Sequence, residues 1–222
     1  MRTVAVVTAT TGRKELEQTV ESVANQTYPC KHYVFFDGVS PRTLRDNVLV
    51  TALPVKTGAN GMLNGGICAA SAFIAQEDLI CWCDDDNWLD ANHVESMVDA
   101  LGDNRWSYCL RKLVNPDGSF WDYDDGESLG TWTGFVDLNC YMVDRLRLGV
   151  AIAPYWYAMG SHGINLGDRA VYAAIGRLPA NCTGQYTVNY RLNSRKDLRP
   201  FFTQENAKMR ARFSDKLPWR KV

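Results

Sequence analysis

The first hundred residues switch repeatedly between two hydrophobic periodicities, and this switching restricts the fold more than any other feature of the chain. Residues 4–7, Val-Ala-Val-Val, are a continuous apolar run. A run without polar alternation suits a strand covered on both faces, the habit of parallel sheets. Parallel neighbours need a crossover, and residues 13–26 supply one, with Leu16, Val20, Val23 and Ala24 at helical spacing ahead of Pro29. Residues 33–36 read as a second strand, 47–55 as a third interrupted by Pro54, and 79–83 as a fourth. Residues 61–75 are rich in small side chains, as in a helix lying close against a sheet, and residues 92–101 put Val94, Met97, Val98 and Leu101 on one stripe. This order predicts an α/β fold whose central sheet is mostly parallel and flanked by helices on both faces.

Beyond Gly102 the pattern changes. Residues 106–114 and 120–123 read as strands joined by the turn residues Asn115, Pro116, Asp117 and Gly118. An acidic loop follows, with Asp122, Asp124, Asp125 and Glu127 around Gly126; then come a strand over 136–143, a short helix over 167–175 and a last strand over 186–192. At about 150 residues per domain, 222 residues favour one large domain. The expected organisation is a single domain over 1–192, with a parallel half to residue 105 and a smaller mixed half after it, then a basic tail over 193–222.

Composition narrows the class. An apolar share of 46% with 22% charged residues excludes disorder, and no apolar run reaches the roughly 18–20 residues of a membrane span. The apolar stretch at the N-terminus is too short for a signal peptide, so a cytoplasmic protein is expected. Seven scattered cysteines do not suggest a secreted disulfide framework. Cys81 and Cys83, either side of Trp82, suit buried strand thiols better than a metal pair. The Asn-x-Thr patterns at Asn25 and Asn181 have no meaning outside the secretory pathway. Net charge is −1 but lopsided: residues 1–190 carry −8 and residues 191–222 carry +7. Such a tail meets phosphate-rich surfaces, or else packs as a helix on the acidic body.

In an open α/β sheet, ligands bind beyond the carboxyl ends of the strands, where strand order reverses. Asp37 follows one predicted strand, and Asp84, Asp85 and Asp86 follow another. Three adjacent acids repel one another unless a cation offsets them, and their hard oxygens suit Mg²⁺ or Mn²⁺ shared with substrate phosphates. The plain alternative, a cap on the next helix, needs one acid rather than three.

The residues also carry a resemblance. Residues 4–13, Val-Ala-Val-Val-Thr-Ala-Thr-Thr-Gly-Arg, and residues 21–29, Glu-Ser-Val-Ala-Asn-Gln-Thr-Tyr-Pro, resemble the opening strand and first helix of family-2 glycosyltransferases of the GT-A fold. Asp37-Gly38 resembles the acid-glycine that contacts the nucleoside. Asn64-Gly65-Gly66 resembles a helix start that usually reads Arg-Asn-x-Gly, with Leu63 where the arginine is usual. Asp84-Asp85-Asp86-Asn87 resembles the Asp-x-Asp-Asp signature, whose second acid binds the metal; here that is Asp86, with Asp84 beside it. The likeness runs over about residues 3–191 and loosens after 105. There, Gly167-Asp168-Arg169 stands where relatives carry the catalytic base, and Tyr190-Arg191 resembles the pair that closes the fold.

The resemblance implies a GT-A-like fold and a hexosyl- or pentosyltransferase. It implies a UDP-, GDP- or dTDP-linked sugar as donor, with Mn²⁺ or Mg²⁺ as cofactor. Donor contacts are expected from Asp37, Asn64, Asp84 and Asp85, with Thr10, Arg13 and Lys56 as neighbours, although Lys56 suits the surface equally. Asp168 is the expected base of an inverting transfer; an N-cap is its plain alternative, and Glu127 and Asp125 are rivals. Trp132, Trp156, Tyr155 and Tyr157 suit either an acceptor cleft or the core, and His162 suits an acceptor contact, a metal ligand or an ordinary loop.

The acceptor stays open. A saccharide or glycan is expected first. The tail, with Arg195, Lys196, Arg199, Lys208, Arg210, Arg212, Lys216, Arg220 and Lys221 among Phe201, Phe202, Phe213 and Trp219, also suits an anionic membrane surface or modified DNA. Two other classes stand beside the transferase. A nucleotidyltransferase would show a glycine-rich loop after the first strand, where this chain has only Gly12. A non-catalytic carbohydrate- or nucleic-acid-binding module would bind donor without turnover.

Overall fold

Residues 1–192, 197–214 and 216–220 are described by a computed structural model. Its sheet grows outward from the first apolar run. Strand β1 (Val4–Thr10) pairs in parallel with β2 (Lys31–Asp37) on one edge and β4 (Leu79–Trp82) on the other, and β2 pairs in parallel with β3 (Val48–Leu53). The crossovers are α1 (Leu16–Ala24) and α2 (Gly65–Ile74), with α3 (His93–Leu101) following β4 and the two-residue β5 (Trp88–Leu89). The chain leaves β1 toward β2 and β3, then returns through α2 to β1's other edge. Strand order therefore reverses between β1 and β4, and a crevice opens at their carboxyl ends. Val4, Ala5, Val6 and Val7 are buried, as a strand covered on both faces must be.

The second half extends the same sheet in mixed directions. Strands β6 (Trp106–Val114), β7 (Phe120–Tyr123), β8 (Tyr141–Asp144) and β9 (Asn181–Arg191) complete the order β3-β2-β1-β4-β8-β6-β9-β5, with β7 on β6. β8 runs antiparallel to both β4 and β6, while β9 is parallel to β6. Helices α4 (Val150–Trp156), α5 (Gly167–Ile175) and α6 (Arg199–Arg212) complete the chain. The expected α/β architecture is present: β1 to β4 are parallel to one another, the short β5 runs antiparallel to β9, and the second half is mixed.

Local differences have local causes. The strand expected over 136–143 begins only at Tyr141, because the Asp137 carboxylate accepts the Asn139 N–H and turns residues 138–140 into a 3₁₀ turn. β9 starts five residues earlier than expected. Gly184, at φ 70°, lets the strand bulge where its register with β6 shifts. α4 has neither a polar stripe nor a clean pattern, and Pro154 lies inside it.

The described part of the tail packs on the body. Phe202 is buried with Leu113 and Leu192, and Met209 and Trp219 with Leu110 and Leu129. Arg210 pairs with Asp122 and Asp125, and Arg220 with Asp125. Arg195, Lys196 and Lys221 lie outside the described residues, as does the first part of the expected tail. Among the described residues no helix is long and apolar enough to cross a membrane, and the seven cysteines are unbridged, Cys81 and Cys83 being buried.

Candidate active site

A cleft of about 740 Å³ opens at the strand-order reversal. The ends of β1, β2 and β4 bring Thr10, Asp37, Asp84, Asp85 and Asp86 to its wall, and Arg13, Lys56 and Asn64 join them from the following segments. The second half contributes Asp137, Trp156, Asn165, Asp168, Tyr190 and Arg191. Acids separated by more than a hundred residues of chain thus share one cavity.

On the first-half side each acid is tied to a neighbour. Thr10 Oγ1 donates to Asp85 at 2.6 Å and accepts from the Gly12 N–H at 2.9 Å, fixing the turn after β1. Arg13 hydrogen-bonds Asp86 and lies 3.7 Å from Asp85. Asp84 accepts from Asn64 Nδ2 at 2.7 Å and Asn139 Nδ2 at 2.9 Å, and its N–H donates to Asn139 Oδ1 at 2.6 Å. Asp37 accepts from the Thr57 N–H, the Thr57 hydroxyl and the Gly58 N–H at 2.6–2.9 Å. Asp37 therefore holds the loop that leads to Asn64, a role its strand-end position did not disclose. Lys56 is exposed at the rim. Leu63 stands exposed in the left-handed region at φ 53°, lining the cleft where an arginine was expected.

Burial pushes Asp84 up to about 8, with the charges of Asp86 and Asp137 adding to the effect. Burial also raises Asp85 and Asp86, against the opposing charge of Arg13. Arg13 and Arg191 thus offset too little of the charge the three acids would carry when ionised, and the donors of those acids are hard oxygens. No set of three or more His, Cys, Asp or Glu forms a ready metal cage among the described residues. A divalent cation that takes one or two carboxylates and completes its shell with phosphate oxygens and water fits this wall. Asp86, with Asp84, would hold it.

The second-half wall is held differently. Arg111, 2% exposed in the middle of β6, donates to Asp124 at 2.8 Å, to Glu127 at 2.7 Å and to Asp137. Its guanidinium also lies 4.2 Å from the centre of the Tyr190 ring. Burial works against its charge, but Asp137, Asp124 and Glu127 more than compensate and raise its proton affinity. Asp137 in turn accepts from Asn139 Nδ2 at 2.8 Å, and Asn139 reaches Asp84. Glu127 also accepts from Arg169 at 2.9 Å, beside Asp168. Arg111 thus links the first-half acid Asp84 to the neighbourhood of Asp168.

Asp168 lies in the first turn of α5, while Leu166 occupies the N-cap position without a side-chain cap bond. Its carboxyl rises to about 6 through burial and the nearby charge of Asp137, opposed by Arg169 and Arg111. That value suits a general base near neutral pH. Asn165 sets the helix in place: its side chain donates to the Trp156 carbonyl at 2.8 Å and accepts the Gly167 N–H at 2.9 Å. A Cβ on Gly167 would sit 2.5 Å from that carbonyl, so only glycine lets α5 approach so closely.

The remaining expected residues sit elsewhere or serve the frame. Glu127 is shared between Arg111 and Arg169, and Asp125 is buried among Tyr186, Trp219, Arg210 and Arg220. Trp132 packs against Phe213 and Trp219, 5.4 and 5.9 Å between ring centres, away from the cleft lining. Trp156 lines the cleft but is buried against Trp82 at 4.9 Å. His162 is exposed at the tip of a hairpin closed by the Met159–Asn165 bridge, outside the cleft lining. Arg191 locks the acidic turn, donating to the Asp86 carbonyl at 2.9 Å and the Gln18 side chain at 2.5 Å. Arg111, Asp137 and Asn139 were not singled out from sequence. The one available signal was Asp137 two residues ahead of Asn139, an Asx-turn pattern inside an expected strand.

A family model described as glycosyl transferase family 2 matches residues 3–157. Among solved structures, the chain is similar to S. aureus TarS 1-349 in complex with UDP-GlcNAc, with TM-score 0.61 and 13% identity over 87% of this chain and 59% of that one. It is also similar to GalNAc-T7 with UDP, GalNAc and Mn²⁺, with TM-score 0.59 and 12% identity over 87% of this chain and 44% of that one. The chain therefore spans well under two thirds of either structure, and at such identity the likeness is one of fold. No curated protein matches the chain by sequence.

Proposed function

The chain belongs to glycosyl transferase family 2, and from that premise we propose that its cleft moves a sugar, hexosyl or pentosyl, from a nucleoside-diphosphate donor to an acceptor hydroxyl. The observation that carries this is the meeting of two acid sets in one cavity: Asp84, Asp85 and Asp86 on one wall and Asp168 on the other. Thr10, Arg13, Asn64 and Lys56 surround the donor's place, and Asp37 holds the loop beneath it. Mn²⁺ or Mg²⁺, held by Asp86 and Asp84, supplies electrophilic stabilisation of the leaving diphosphate when bound.

Asp168 takes the proton of the acceptor hydroxyl while that oxygen attacks the anomeric carbon. The bond from that carbon to the diphosphate breaks, and the product anomer is inverted. A carboxyl near 6 is ionised at neutral pH yet basic enough to accept a proton as the bond forms. A saccharide is the proposed acceptor.

The test is an assay of UDP-, GDP- and dTDP-linked sugars with Mn²⁺ or Mg²⁺, following free sugar and nucleoside diphosphate and reading the anomer by NMR. Donor cleavage with an inverted product supports the reading. A retained anomer overturns the role of Asp168. Pyrophosphate release from a nucleoside triphosphate and a sugar phosphate would put a nucleotidyltransferase in its place.

A further inference from the structure

Helices α2 and α4 lie side by side and antiparallel. A Cβ on Gly149 would come 3.7 Å from Ala72, one on Gly65 would come 2.5 Å from the Trp156 carbonyl, and one on Gly66 would come 3.7 Å from Tyr157. Their inner faces, with Ile67, Cys68, Ala72, Ile152 and Trp156, are buried in the core. Their outer faces are apolar as well. Phe73 is 64% exposed and Leu146, just ahead of α4, 70%; at the other end Leu63 and Tyr157 are each 57% exposed. Neither helix contains a charged residue. The face runs about 15 Å, the length of a ten-residue helix, and ends at the cleft, whose lining includes Leu63. Contiguous exposed apolar surface on this scale marks a docking site.

The charges around the face indicate what docks. Residues 53–78 and 144–180 hold five cations, Lys56, Arg145, Arg147, Arg169 and Arg177, and four acids. Of these acids, Glu77 is buried against Lys31, Asp144 lies 4.0 Å from both Arg2 and Arg147, Asp168 faces the cleft and Asp78 is exposed. Yet residues 1–190 as a whole carry −8. Arg147 and Arg169 also meet Asp144 at 4.0 Å and Glu127 at 2.9 Å, and Asp78, just past α2, accepts from Thr3 at the margin. An apolar centre with a cationic border matches an anionic bilayer, and Tyr155 and Tyr157 have the apolar body and polar tip of side chains at headgroup depth. A second copy docked face to face would set the same cationic border against itself. A nucleic-acid backbone would meet no cation at the centre. The other basic segment, at the C-terminus, turns Arg210 of α6 and Arg220 beyond that helix inward to Asp122 and Asp125.

We propose that the outer face of α2 and α4 seats the protein on an anionic membrane, with the cleft mouth at the headgroups. Docking stands on the surface alone. Its consequence, an acceptor hydroxyl carried by a lipid, rests on the transfer reading above.

The test is co-sedimentation of the full chain with phosphatidylcholine vesicles, with and without phosphatidylglycerol, in the absence of substrate. Anionic vesicles should bind more than about ten-fold tighter. The double variant Phe73→Asp with Leu146→Asp should lose that binding while keeping its melting temperature, because both side chains are exposed. Lys208→Glu with Arg212→Glu on α6 should leave binding unchanged. No preference for anionic vesicles overturns the proposal, as does undiminished binding by the Phe73/Leu146 variant. A wild-type dimer that the same variant dissociates would also overturn it, assigning the face to a second copy. Because no turnover is measured, a failed transfer assay leaves this result standing, and the converse holds.

Discussion

On the first-half side of the cleft, Thr10, Asp37 and Asp84 each stand where a parallel strand ends. Thr10 and Asp37 find their partners in the turn or loop that follows or on the adjacent strand end, while Asp84 is held by Asn64 ahead of α2 and by Asn139 from the second half. On the acceptor side, Asp137 is gripped by a guanidinium in the middle of β6, and Asp168 sits on a helix set by Asn165 and flanked by an arginine tied to that same network. The first wall is set by strand geometry, which any parallel crossover supplies. The second is set by a buried ionic hub whose members come from residues 111, 124, 127 and 137. The comparison teaches that the two walls should fail differently. Donor-side substitutions should cost binding and leave the fold standing, whereas acceptor-side ones should cost either turnover or stability.

The largest effect is expected at Asp168. Asp168→Asn should lower donor cleavage by about 10²–10⁴-fold, the usual share of a general base, while nucleoside-diphosphate binding stays within error. Loss of binding with preserved turnover would reverse the assignment of the two walls. Next comes Arg111→Met, which leaves Asp124, Glu127 and Asp137 without their cation. Breaking a buried pair of this kind costs about 3–5 kcal/mol, which thermal or urea unfolding would register. Arg13→Met is the matched donor-side change. Its pairs with Asp85 and Asp86 involve a half-exposed arginine, so stability should move by only about 0–1 kcal/mol while nucleotide affinity falls. Equal destabilisation by the two changes would erase the contrast.

The smallest effect is a shift in a pH profile. A base must be deprotonated to act, so turnover should rise with pH through about 6, the raised value of Asp168, and fall away below it. Asp137→Asn removes an anion that helps hold that value up, so the acid limb should move to lower pH. A limb that stays in place would show that Asp137 acts only as a structural partner of Arg111.

The same contrast explains what could be read from the chain. The strands around residues 4–7, 33–36 and 79–83 announce themselves as apolar runs, and an acid just beyond such a run is a site by position. Hence the placement of Asp37 and residues 84–86 at the cleft was legible from sequence, though what Asp37 holds there was not. Arg111 looked like one polar residue in a strand, because its three partners lie 13 to 26 residues away and follow no period. α4 was hidden by Pro154 and by being apolar all round. The basic C-terminus read equally as a phosphate-seeking surface or as a helix packed on the acidic body, and charge counting does not reveal that Arg210 and Arg220 turn inward to Asp125. Trp132 joined the same cluster, away from the cleft, for the same reason.

In the proposed function, Asp84, Asp85 and Asp86 hold a nucleoside diphosphate through a divalent cation. Calorimetric titration of UDP, GDP and dTDP into the wild-type protein and Asp86→Ala, each with Mn²⁺ and with chelator, tests it most directly. One of the three nucleotides should bind the wild type only when the cation is present, and Asp86→Ala should lose that dependence together with the binding. Binding that ignores the chelator, or that survives Asp86→Ala intact, would contradict the account.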